Sequence, residues 1–175
     1  MKIKAGATAL LVSLALTTLS GCSMTDAKDS DSPPFAGVST TSDARSAAEK
    51  VSSELYDLIG LKGKTTEPGP GVNECPGKDP EKYFTTFHMW TLTPTSPAQL
   101  DGVMERLKKQ LPEHGWTIVD FGPDASKNKN IRITADNDAK KHSVKITHWA
   151  KDNPPKLNVY LVSGCYQVPE GDKVD

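Results

Sequence analysis

His88, His114, His142 and His148 are the side chains best suited to acid–base or metal chemistry, and their spacing argues against a shared site. His142 and His148 share strand parity. Six residues at ~3.3 Å each set them about 20 Å apart, too far for one metal ion. His114 closes a helical pattern, where partial positive charge is simply favourable. His88 stands near Trp90 in an aromatic run, as core and rim histidines do. Asp136-Asn137-Asp138 clusters oxygens but lacks the glycine and distal glutamate of a calcium loop, so it reads as a turn. Ser163 lacks the Gly-x-Ser-x-Gly setting of a nucleophile elbow. No His-Glu-x-x-His, phosphate loop or dinucleotide fingerprint occurs. No catalytic residue is assigned, and neither metal nor cofactor is expected.

The elements that would position these groups follow from periodicity. From Ser42, a candidate N-cap, Ala44, Ala47, Ala48, Val51, Leu55, Leu58 and Ile59 recur at three and four, which predicts a helix ending at Gly60. Residues 61–80 carry eight glycines and prolines and read as a long irregular loop. Tyr83 to Leu92 is aromatic and threonine-rich, hence a strand. Ser96-Pro97-Ala98-Gln99 is a helix start with a capping box. Its stripe is Leu100, Val103, Met104, Leu107 and Leu111, and Pro112 and Gly115 stop it. Four strands follow, at 116–121, 130–135, 143–149 and 157–162, joined by turn-rich links. Short links make neighbours antiparallel. The fold class is therefore α+β: a two-layer sandwich of about five antiparallel strands with two helices, in the order α-β-α-β-β-β-β.

Alternation puts Ile131/Ile133, Val144/Ile146 and Leu157/Val159/Leu161 under the helices. Arg132, Lys145, Trp149 and Tyr160 fall on the opposite face. They form an aromatic and basic candidate binding face if no helix covers it, or part of the core if one does. Lys127, Lys129, Arg132, Lys140, Lys141 and Lys145 crowd into nineteen positions. Such a run is a set of solvated hairpin turns, or a contact for anionic phospholipid or cell-wall polymer.

At the other end, Lys2 and Lys4 precede an uncharged apolar stretch, Ala5 to Leu19. Fifteen helical residues reach about 22 Å, short of a ~30 Å hydrocarbon core, so the stretch reads as a signal segment. Leu19-Ser20-Gly21-Cys22 follows, and it resembles the lipobox of bacterial lipoproteins. The resemblance implies cleavage after Gly21, a diacylglyceryl group on the Cys22 thiol, and a two-chain anchor, which is stable where one chain is marginal. The domains expected are a signal peptide at 1–21, a lipidated disordered tether at 22–41 and one α+β domain at 42–175. The tether assignment rests on a Ser, Asp and Pro bias without Leu or Ile. Cys75 and Cys165 remain as a pair. In an exported chain, without Cys-x-x-Cys spacing, they predict one structural disulfide.

The layout is similar to small secreted lipoproteins of actinobacterial type, with the lipobox as its specific part. CPGKDPEKYF, ITADND and SGCYQVPEG add to the likeness. It implies the cell membrane, lipid-anchored on the extracytoplasmic face, and says nothing of activity. The 175-residue chain is 36% apolar and 25% charged, which excludes collagen-like, coiled-coil and polytopic membrane classes. Its formal charge is −1, so no basic field attracts nucleic acid, and no nucleic-acid partner is expected. The membrane, through the lipid on Cys22, is one partner; an envelope protein or small ligand is the other. The expected function is a non-enzymatic binding module of the cell envelope. The alternative is a lipid-anchored hydrolase without a recognisable motif, centred on His88 or His148.

Overall fold

A computed structural model describes residues 33–66 and 68–175. The signal segment, Cys22 and the tether up to residue 32 lie outside the described residues.

α1 spans Thr41–Ile59. Its N-cap is Thr40 rather than Ser42, because the Thr40 hydroxyl accepts from the Asp43 N–H at 3.1 Å. Gly60 closes the helix at φ 63°, and its N–H donates to the Tyr56 carbonyl. Ala44, Ala48, Val51, Leu55 and Ile59 are buried, whereas Ala47 faces solvent and Leu58 is half-buried.

The second helical segment is split. Pro97–Leu100 forms a 3₁₀ turn in which the Ser96 N–H donates to Gln99 Oε1. Asp101 and Gly102, the latter at φ 67°, then break the path, and α2 runs Val103–Glu113. Pro112 does not stop α2 but sits in its last turn, where a missing N–H costs a single bond. All five expected stripe residues are buried.

The strands are β1 Phe35–Val38, β2 Gly63–Thr65, β3 Gly71–Glu74, β4 Tyr83–Pro94, β5 Thr117–Pro123, β6 Ile131–Asn137, β7 His142–Trp149, β8 Lys156–Ser163 and β9 Cys165–Gln167. They form one sheet in the order β1-β9-β4-β8-β7-β6-β5, with β2 and β3 also on β4. Mixed α+β content and two helices are as expected, but the sheet curls into a half-barrel instead of a five-stranded sandwich layer. The cause is β4. It is twelve residues long and pairs along both edges, with β2 and β3 on one and β8 and β9 on the other.

β2 and β3 fall within the loop expected at 61–80. β1 falls within the tether expected at 22–41. β1 is drawn into the sheet by parallel pairing with β9: the Cys165 N–H donates to the Pro34 carbonyl at 2.8 Å, and the Ser39 N–H to that of Gln167 at 2.9 Å. Gly164 permits this approach, since a Cβ there would collide with the Pro34 carbonyl oxygen. Cys75, just past β3, and Cys165, at the start of β9, lie at disulfide distance with Cα atoms 5.9 Å apart.

Both helices pack on one face of the sheet. Ile133, Val144, Ile146, Leu157, Val159 and Leu161 meet Leu55, Ile59, Leu107 and Leu111 in a single core. Ile131, expected with them, lies at the sheet end and is 36% exposed. Among the described residues no helix is long and apolar enough to cross a membrane.

Candidate functional site

The candidate face comes out helix-free. Strand register lines up Met89, Tyr160, Lys145 and Thr134 in one row across β4, β8, β7 and β6. Lys145 and Tyr160 are direct cross-strand partners, so the structure brings these two together. The other two candidates take separate partners. Trp149 pairs with Lys156, whose Nζ lies 5.4 Å from the indole centroid. Arg132 donates from Nη2 to Asp120 Oδ2 at 2.7 Å. The four share a face without forming one cluster. Trp149 and Tyr160 are half-buried and outside the core. Trp149→Thr and Tyr160→Thr are each expected to cost no more than about 1–2 kcal/mol, against about 3–5 for a core aromatic. Thermal melts read the difference, and a core-sized loss would show the face to be covered.

On the helix side lies a groove of about 440 Å³ that no sequence signal marked. One wall is a single stripe of α1, with Glu49, Ser52, Ser53 and Tyr56 at helical spacing. The other is the end of β2 and the chain after it, with Thr65, Thr66, Pro68 and Gly69. His88 and Trp90, alternate residues of β4, form the floor. Trp90 Nε1 donates to Ser52 Oγ at 3.2 Å, and its ring meets Tyr56 edge-on at 6.1 Å between centroids. These contacts hold helix to floor. His88 Nε2 lies 2.7 Å from the Pro68 carbonyl. A carbonyl only accepts, so Nε2 carries the hydrogen and Nδ1, buried without a partner, is a bare lone pair in the neutral ring. Thr66 is tied to Thr91 through its own N–H and through the Thr91 N–H to its hydroxyl. Both walls are therefore held to the same strand.

Among the described residues, hydroxyls, aromatic edges and the Glu49 carboxylate line the groove, and no lysine or arginine does. Such a lining suits a neutral or cationic ligand that offers hydrogen-bond donors. His88, expected as a core or rim histidine, is half-buried and lies in the groove floor. Glu49 and Tyr56 could not have been picked out, because both lie off the apolar stripe of α1.

The other histidines stand apart from the groove. His148 pairs with Ile131 and Leu157, and burial holds its pKa below the ordinary value while Asp101 pulls it up. His142 is buried on β7, with Nδ1 2.6 Å from the Lys140 carbonyl and Nε2 unpartnered. Burial is the main cause of its lowered pKa; the hydrogen bond to Lys140 raises it, and the nearby Lys140 charge lowers it further. The unfolded chain therefore takes up the proton first as pH falls. The stability from a neutral His142 is complete above its ordinary pKa of 6.5 and is lost below it, levelling off once the folded protein also protonates. The melting temperature is expected to fall between about pH 7.5 and about pH 5. His142→Asn, which keeps a donor for Lys140, should flatten part of that slope and leave the share due to His148. Parallel slopes for the two proteins would refute the assignment.

Among the described residues no three His, Cys, Asp or Glu side chains converge as metal ligands. No protein-family model matches the chain, and neither curated proteins nor solved structures match it.

Proposed function

We propose that the protein is a membrane-anchored extracytoplasmic lipoprotein whose domain is a non-enzymatic binding module. The ligand is small, neutral or cationic, and taken into the groove between α1 and the chain after β2. The observation that carries the ligand half is the lining: Tyr56, His88 and Trp90 present aromatic edges, Glu49 supplies a negative charge, and both walls are tied to β4. A preformed concave site with few polar groups is the usual form of a small-molecule site. The membrane half rests on Leu19-Ser20-Gly21-Cys22.

Native mass spectrometry of the mature chain from its own host tests the ligand. A mass that leaves on activation is expected, with occupancy about tenfold lower in Tyr56→Ala. Glu49→Gln should lower occupancy for a cationic ligand and leave a neutral one unchanged. A chain without added mass, or a mass indifferent to Tyr56, refutes the groove. Turnover of the released compound, lost in His88→Gln, would favour the hydrolase instead. Cys22→Ala is expected to move the chain from the membrane to the soluble fraction; unchanged membrane retention refutes the anchor.

A further inference from the structure

We propose that the helix-free face of the sheet is a second membrane contact, by which the domain lies on an anionic phospholipid surface instead of standing off from it. The inference rests on the lipoprotein reading above and adds a partner for the face that the groove leaves unused.

Among the described residues, three of the five exposed large apolar side chains lie on this one face: Phe35 at 58%, Val38 at 62% and Met89 at 51% exposure. Register establishes the sharing. Phe35 pairs with Cys165 and Val38 with Gln167, two residues further along β9 and so on the same side. Gln167 pairs with Tyr83, and Tyr83 and Met89 are six residues apart on β4, again on one side. Water gains nothing from exposed apolar side chains, and their gathering on one face signals a contact.

The chain outside the described domain says what the contact is. Twelve residues separate Cys22 from Phe35. Fully extended they reach about 45 Å, roughly one domain diameter. The chain enters the domain at β1, the strand that carries Phe35 and Val38, so only these twelve residues of chain separate the lipid-bearing cysteine from apolar side chains of this face. A contact too weak to bind from solution becomes intramolecular on so short a link, at an effective concentration of order millimolar.

The remaining chemistry fits a headgroup region. Tyr160 and Trp149 are aromatic groups with polar edges, of the kind that settle at the water–lipid boundary. Lys145 beside Tyr160 has no ion-pair partner among the described residues, and neither do Lys127, Lys129 and Lys141 of the same basic run. Long lysine stems reach phosphates while their chains cover apolar surface. In this pose α1 and the groove point away from the lipid, open to a ligand.

The test uses the mature lipidated chain in vesicles of phosphatidylglycerol and phosphatidylcholine carrying doxyl-labelled lipid. Met89→Trp and, separately, Val38→Trp place reporters on the face; Ala47→Trp, on the exposed side of α1, is the control. Signals are read as differences from the parent protein. Quenching of both face reporters about twofold or more above the control, weakened when phosphatidylglycerol is omitted, is the expected result. Equal quenching at all three positions, with the protein still sedimenting with the vesicles, overturns the second contact and leaves the anchor intact. Failure to sediment at all overturns the anchor and this proposal with it. A photo-crosslinker at Met89 that labels a single protein in host membranes, and no lipid, also overturns it and assigns the face to a protein partner. Circular dichroism of each variant identifies any that fails to fold, and the second face reporter then decides.

Discussion

Replacing Cys75 and Cys165 together by alanine is expected to lower the unfolding free energy by about 2–5 kcal/mol. The bond closes a loop of 90 residues, and the chain-entropy relation puts the cost of releasing a loop of that size at about 4–5 kcal/mol. Its position adds to the effect. Cys75 follows β3, a four-residue strand whose sheet neighbour is β4, and the glycine- and proline-rich segment around it has little core to hold it. Cys165 opens β9, which also carries β1. Without the link, the 61–80 segment and the β1–β9 corner are restrained by short strands alone. Denaturant melts of the double variant beside the oxidised parent read the loss. A change of less than about 1 kcal/mol would show that the corner is held without the bond.

Trp90→Ala is the single substitution with the largest expected cost, about 3–5 kcal/mol. Trp90 is 5% exposed and belongs to both the core and the groove floor. Its removal leaves a cavity against Tyr56 and takes away the donor to the buried Ser52 hydroxyl. Trp90→Phe separates these effects. The ring packing is largely kept, and the unpaired Ser52 is expected to cost about 1–3 kcal/mol. A second measurement ties stability to function. Trp90→Phe frees α1 from its hydrogen bond to β4, so ligand occupancy should drop more than stability does. Trp90→Ala within 1 kcal/mol or so of the parent would mean that the floor is not packed as described.

Legibility differed between elements for identifiable reasons. The stripes of α1 and α2 and the cores of β4 to β8 were readable because each carries its own period, at 3.6 or 2 residues, over seven or more positions. Gly63-Lys64-Thr65, Gly71-Val72-Asn73-Glu74 and Cys165-Tyr166-Gln167 carry none. They are strands because β4 offers unpaired edges to them. Phe35–Val38 sits in a serine-, aspartate- and proline-biased stretch, and only the groups of Pro34, Ser39 and β9 that bond it reveal its role. The cap of α1 lies two residues before the expected one, at Thr40, and Asp101-Gly102 moves the α-helical start of α2 six residues on, from Pro97 to Val103.

The sequence by itself determined the local periods, the apolar halves of each element and the pairing candidates Cys75 and Cys165, because those are read from residue types and their spacing. It also placed Arg132, Lys145, Trp149 and Tyr160 on one side of the sheet, since parity alone does that. Tertiary structure decided the rest. It set both helices on one face and left the other bare, paired β4 on both edges, and curled the sheet. It also brought Glu49 and Tyr56 of α1 over His88 and Trp90, more than thirty positions away. A groove is made by the crossing of two elements, and burial of their apolar faces sets that crossing; no single stretch of chain encodes the gap between them.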